Sequence, residues 1–402
     1  ELHRQCREAT LNNAAAGALA GQLIIARQGI EGVTPIERSN RTFDQQTQSY
    51  ALFGQIDWDI TERFAIAVGA RMSYEIKELE ITHALINHRT GGNGNVIIED
   101  PETGEYRLGP NPAGIITLQF FTPGIEEFEA ERRRTEFNIA PKFSVTYRPI
   151  EDVMSYITIA QGFKSGGFNA QPNRPNNIEF DEEESLTYEA GIKSEFLSGA
   201  GRFNLSGFYT SFEGLQIAAF NGVEFVVDNA ADATIYGVEW EAMLAPMYGL
   251  LFNMSGSWTI AEYDEFDGGP CPVDHPDFLP CDLGGGVLPN APEWNLNIGA
   301  TYDRPFFNLP FNLHFGIDGL FVSSFFNNTD LDPRSEVDAT WKLRARFGIH
   351  DADNQWAIML FADNITDERN WVVFNDTPAQ FDSFFGILEE GRTFQIQARY
   401  QF

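Results

Sequence analysis

The sequence predicts an all-β protein, a transmembrane antiparallel β-barrel with long extracellular loops and short periplasmic turns. Three observations carry that prediction. Stretches of about ten residues alternate apolar with polar side chains, the period of a strand with one greasy and one wet face. The links between them alternate short and long, as tight periplasmic turns and extended outer loops do. No apolar run approaches the ~18–20 residues of a membrane helix, so a membrane form of this chain must be a sheet with no open edge in lipid.

The 402 residues suffice for one large barrel. A net charge of −31, from 58 acidic and 27 basic residues, argues against a nucleic-acid partner, because binding phosphates needs the opposite sign.

Residues 1–45 show no two-residue period and are expected to form an extracellular loop region, with a short helix over Asn12 to Arg27. Residues 46–402 are expected to form the barrel. Tyr50, Leu52, Gly54, Ile56 and Trp58 share the first outward face, and Phe64, Ile66, Val68, Ala70, Met72 and Tyr74 the second. A loop of about fifty residues follows, a length usually functional when uninterrupted. Strands then run through Phe137 to Tyr147, Met154 to Asn169, Leu186 to Ile192, Phe203 to Tyr209, Tyr236 to Leu244 and Leu250 to Trp258. Trp294 to Tyr302, Phe311 to Ile317, Val337 to Phe347 and Trp356 to Asn364 continue the series, and Phe394 to Phe402 closes it. Opposite Trp341 and Leu343 lie Lys342, Arg344 and Arg346, which no dry core holds unpaired. Aromatics near strand ends (Trp58, Tyr147, Trp258, Tyr302, Trp371) fit interfacial girdles. A propeller would repeat a blade motif and keep its loops similar, and the sequence does neither. The count is about thirteen strands. With the C-terminus periplasmic, an odd count places residues 1–45 outside and requires at least one earlier strand. The absence of a start Met or signal peptide agrees with a piece of a longer protein.

Cys271 and Cys281 bracket a Pro-rich loop and read as a disulfide in an oxidising compartment, two free loop thiols being the alternative. Cys6 has no evident mate.

Five motifs then resemble those of TonB-dependent outer-membrane receptors, in family order. They are Ile159-Ala160-Gln161-Gly162-Phe163-Lys164-Ser165-Gly166-Gly167-Phe168-Asn169 with Glu184-Ser185-Leu186-Thr187-Tyr188-Glu189; Tyr236-Gly237-Val238-Glu239-Trp240-Glu241; Asn290-Ala291-Pro292-Glu293-Trp294; Phe361-Ala362-Asp363-Asn364-Ile365-Thr366-Asp367; and Gly391-Arg392-Thr393-Phe394 through Phe402. The resemblance implies a barrel of about 22 strands, of which this chain supplies about thirteen. It also implies a plug, a TonB box and first strands that have no counterpart here. The implied function is active import of a scarce nutrient, a ferric siderophore, across the outer membrane of a Gram-negative bacterium. Uptake of another ligand (glycan, cobalamin or peptide) and a passive porin are the alternatives. The implied partners are outer-membrane lipid and lipopolysaccharide, TonB through the missing N-terminal region, the barrel-assembly machinery and the small-molecule ligand. Phe394, Ile396, Tyr400 and Phe402 would form the assembly signal.

Gly162-Phe163-Lys164-Ser165-Gly166-Gly167 lacks phosphate-loop spacing. Its glycines suit a sharp bend where a strand leaves the membrane. Phe163, Lys164, Phe168 and Asn169 at this exit are candidate ligand contacts, against a purely structural reading. His3, His83, His88, His275, His314 and His350 form no metal pair, and the acidic runs match no calcium loop, so no cofactor is expected. No nucleophile and base stand at credible spacing, which argues against an enzyme. Acids concentrated in the expected outer loops (Glu99, Asp100, Glu102, Glu105, Glu126, Glu127, Glu129, Glu131, Asp181 to Glu184) predict a negative vestibule that repels a triply anionic ferric catecholate.

Deleting Phe402 should impair outer-membrane insertion of the full-length protein, read as surface level. Unchanged levels would count against the terminal signal.

Overall fold

A computed structural model describes residues 38–86, 95–99, 106–110, 128–172, 175–220, 225–272, 281–305, 307, 309–353, 355–376 and 384–401. Thirteen strands form one antiparallel sheet, each lying beside its neighbours in sequence. They are β1 (Arg38–Thr61), β2 (Phe64–Ile86), β3 (Phe128–Ile150), β4 (Val153–Lys164), β5 (Glu183–Phe196), β6 (Gly201–Phe220) and β7 (Phe225–Met247). β8 (Leu250–Glu265), β9 (Trp294–Pro305), β10 (Asn312–Val322), β11 (Thr340–His350), β12 (Trp356–Asp363) and β13 (Thr393–Tyr400) complete it. β1 and β13 are its two edges.

The strand count agrees with the sequence, but several boundaries do not. β1 begins at Arg38, inside the stretch expected to be loop, and pairs Arg41 with His83 and Phe43 with Ile81. β3 begins at Phe128 instead of Phe137, pairing with His83. Both extensions are polar on one face or both, so the alternation fades while the ladder continues. The long link after β2 is not uninterrupted, since Asn95–Glu99 pairs with Tyr106–Pro110 within it. The helix expected over Asn12 to Arg27 lies outside the described residues, as does Phe402.

Register fixes the two faces, because a slip of one residue would exchange them. Tyr50, Tyr74 and Phe137 stand opposite one another on the outward face of β1, β2 and β3. Further round the sheet, Tyr209, Tyr236, Trp258 and Trp294 make a chain of ring contacts with centroids 6.3–6.5 Å apart. Leu52 and Ile56 are more than 70% exposed, an arrangement that water penalises and lipid does not. The inward face carries Arg71 and Ser73 on β2, Lys142 on β3, Glu189 on β5, Glu239 on β7 and Arg346 on β11. One end of the sheet has tight turns. Thr61 Oγ1 accepts from the N–H groups of Arg63 and Phe64, and the turn at residues 197–199 takes left-handed backbone at Leu197, Ser198 and Gly199.

At the other end the inward face turns apolar. Leu79, Ile81 and Ala130 join Phe168 and Ile178 in one buried cluster. Ile217, Ala231, Ala233 and Tyr263 join Phe266 in a second, with Leu283 and Leu288 packed against it. Both clusters draw residues from the loops, so the loops fold inward onto the wall.

Val68, 52% exposed at mid-band on β2, tests the face assignment. Val68→Arg should cost about 2–4 kcal/mol in the full-length protein, whereas Ala67→Arg on the inner face should cost far less, by equilibrium unfolding in urea.

Candidate functional site: the mouth on the long-loop side

β4 ends at Lys164 and the chain turns inward. Gly167–Phe168 pairs with Glu179–Phe180, and a 3₁₀ turn at Pro175–Asn177 lies between them. A Cβ on Gly166 would lie 2.5 Å from the Phe180 carbonyl and 2.7 Å from the Arg134 guanidinium, so no side chain fits. The Gly166 N–H donates to Glu136 Oε1 (3.1 Å), and its carbonyl accepts from Lys77 Nζ (2.5 Å). Ser165 Oγ donates to Glu75 Oε2 (2.8 Å). Arg134 bridges Glu136 and Asp181, its Nη1 lying 2.8 Å from Asp181 Oδ1. From the far side, Gln216 Nε2 donates to the carbonyls of Ser165 (3.1 Å) and Asp181 (2.9 Å). Asn229 Nδ2 donates to those of Asp181 (3.0 Å) and Gly214 (2.7 Å). The loop is thus clamped between β2–β3 and β6–β7.

The four predicted contact residues separate. Phe168 is buried in the first apolar cluster. Asn169 is buried too, its Nδ2 donating to the carbonyls of Asn177 and Val227 and its Oδ1 accepting from Val227 N–H (2.8 Å). Phe163 stands opposite Glu184 in register, on the outward face that carries Ile157 and Ile159. Lys164 alone presents an exposed charge on the inner face, 3.9 Å from Glu183 Oε2. Sequence reading missed Lys77, Arg134, Glu136, Gln216 and Asn229. Alternation put Lys77 on an inner face, but Arg134 and Glu136 precede the expected start of β3 at Phe137, and nothing in the spacing announced convergence from four strands.

Two of the acids expected to line a negative vestibule point elsewhere. Glu129 and Glu131 lie on the outward face, in register with Thr82 and Glu80, while Ala130 and Arg134 face inward. Around the described mouth Lys77, Arg132, Arg134 and Lys164 pair with Glu75, Glu179, Glu136, Asp181 and Glu183, four bases against five acids. Asp100, Glu102, Glu105, Glu126 and Glu127 of that expectation lie outside the described residues, so repulsion of an anionic ligand stays an expectation.

Cys271 and Cys281 are disulfide-bonded, and the loop returns through Cys281 N–H to the Gly269 carbonyl (2.9 Å). Two further loops meet at the mouth, where Phe374 N–H donates to Asn327 Oδ1 (3.0 Å) and Arg334 lies over the Phe384 ring at 4.2 Å. Among the described residues, no three His, Cys, Asp or Glu side chains are grouped to hold a metal ion.

The family described as TonB dependent receptor-like, beta-barrel matches residues 11–365. The chain belongs to that family. The pesticin receptor of Yersinia enterocolitica is 21% identical over 240 residues, 56% of this chain and 30% of that protein. The pesticin receptor of Yersinia pestis is 20% identical over the same shares. The crystal structure of the ferric yersiniabactin uptake receptor FyuA from Yersinia pestis superposes with a TM-score of 0.68 at 18% identity, covering 90% of this chain and 47% of that one. The siderophore receptor PiuA from Acinetobacter baumannii gives 0.61 at 16% identity, covering 89% and 44%. The chain therefore spans less than half the length of these relatives.

Within this TonB-dependent receptor barrel, the last two sequence motifs meet in one knot. Asp367 Oδ1 accepts from Arg392 N–H (2.8 Å), and Asn364 Nδ2 donates to the carbonyls of Glu368 and Glu390. In the neighbouring loop, Asp332 has no exposed surface. Burial pushes its carboxyl up, but the Arg334 guanidinium (2.6 Å) and N–H (2.8 Å) outweigh that and hold it below the usual range. A lowered folded value stabilises the loop above the ordinary carboxyl value of ~3.9, and the gain is lost as pH falls below that value. Asp332→Asn should weaken charge-assisted bonds of about 1.5–3 kcal/mol each and speed amide exchange across residues 328–335 at neutral pH. Below the lowered value the wild type should exchange like the variant.

Proposed function

We propose that the chain is the C-terminal part of the barrel of an outer-membrane receptor that actively imports a scarce nutrient, a ferric siderophore, into a Gram-negative periplasm. The observation that carries this reading is the mouth, where two loops fold inward onto apolar clusters of the wall, ion pairs ring the point where they descend, and Lys164 stands exposed beside them. A passive pore uses a constriction only to select by size and charge, whereas a receptor that must capture dilute ligand gains a lined vestibule in which to bind it. The likeness to FyuA, a ferric yersiniabactin uptake receptor, and to PiuA, a siderophore receptor, supports the same reading. Work would come from TonB acting through a region upstream of these residues, and lipopolysaccharide and the barrel-assembly machinery would be the membrane partners. Phe394, Ile396 and Tyr400, each more than 60% exposed along β13, suit the terminal signal that such machinery reads. Binding and transport, not bond chemistry, would be the whole activity.

A competition uptake assay with radiolabelled iron on several siderophores, run on the full-length protein, tests this. Expected is saturable uptake of one siderophore class that disappears without TonB. Uptake that is linear in concentration and independent of TonB would indicate a porin instead. Lys164→Ala should weaken binding of that siderophore, while Phe168→Ala should chiefly lower the amount of folded receptor, since removing a buried Phe costs about 3–5 kcal/mol.

A further inference from the structure

At the tight-turn end, the inner face of β9, β10 and β11 gathers one carboxylate and two imidazoles. Asp303 and His314 are register partners, with His314 Nδ1 at 2.9 Å from Asp303 Oδ2. His350, from the next strand, brings Nε2 to 3.0 and 3.1 Å from the two oxygens of the same carboxylate. Its other nitrogen, Nδ1, lies 2.8 Å from the backbone carbonyl of Asp351. His350 is buried, and Asp303 is the most open of the three.

The hydrogen-bond inventory makes this arrangement selective. A carbonyl and a carboxylate only accept, and a neutral imidazole has one N–H and one lone pair. Either neutral form of His350 turns its lone pair toward one acceptor or the other. Only the imidazolium donates at both ends. We propose that His350 is a proton-operated clasp: charged, it ties β11 and the chain that leaves it at Asp351 to Asp303 across the intervening β10; neutral, it lets one end go.

The surrounding charges bear on the same device. On β9, Arg304 is turned away over the Tyr248 ring at 4.4 Å, so it does not neutralise Asp303. On β10, His314 shares the Asp303 carboxylate. On β11, Arg346 is taken by Asp318 (2.6 Å) and Thr301 (3.0 Å). In the turn, Asp351 Oδ1 accepts from Trp356 N–H (2.9 Å), so the carbonyl held by His350 belongs to a residue that also starts β12. Beyond β12, Arg399 on β13 stands in the same row as His350, across Ala357. Releasing the clasp should therefore loosen the start of β12 together with the turn.

The test uses the full-length receptor in detergent with ¹⁵N-labelled histidine, the His350 ring signals being assigned by their loss in His350→Asn. Spectra and amide exchange are recorded at about pH 5.5 and about pH 8.5, either side of the ordinary imidazole value of ~6.5. Expected is that amides 351–356 are about tenfold less protected where the spectra show the His350 ring neutral than where they show it charged, after correction for intrinsic exchange. Asp303→Asn should remove that difference. A ring that stays neutral at both pH values, equal protection at both, or a difference that persists in Asp303→Asn would each overturn the proposal. The wild-type spectra decide the ring's charge even where a variant fails to fold.

Discussion

In hydrocarbon every peptide N–H and C=O must find a partner within the protein, because an unpaired group there costs several kcal/mol. That requirement explains why each strand lies beside its sequence neighbour, why the short turns are so tight, and why bulky Leu197 takes left-handed backbone to close one of them. It also explains residues that admit no side chain. A Cβ on Gly237 would lie 2.2 Å from the Trp258 carbonyl, so the β7–β8 ladder there needs glycine.

Past the apolar band water satisfies the backbone, and the inner face is released from the polar pattern of a lumen. Leu79 and Ile81 occupy the same face as Glu75 and Lys77 yet are buried. The change over a few residues turns the upper wall into a docking surface for its own loops. The ion pairs between the two regimes, Lys77 with Glu75 and Arg134 with Glu136 and Asp181, hold the descending chain where apolar packing ends.

The sheet was largely legible in the sequence because lipid on one face and water on the other impose a clean two-residue period. Tyr50 to Trp58 and Phe64 to Tyr74 announced themselves for that reason. Where both faces meet water, as in Arg38–Gln45 and Phe128–Glu136, the period vanishes and the strand ends were misplaced. The mouth was legible only as a place. Its glycines marked the exit of β4, but whether Phe168 or Lys164 faced the opening depends on a loop folding back onto strands far away in sequence. The acids of β3 misled for a related reason: an extended strand sends alternate residues outward, so Glu129 and Glu131 left the opening that composition had given them.

Strand length adds one consequence. β1, with 24 residues, reaches about 80 Å along its own direction at ~3.4 Å per residue, whereas β12 and β13, with 8 each, reach about 27 Å. The rim is a parapet, tall along one arc and low along the other. On the low arc the chain between β12 and β13 forms its own hairpin, Trp371–Asp376 against Phe384–Leu388, which no ladder joins to the main sheet.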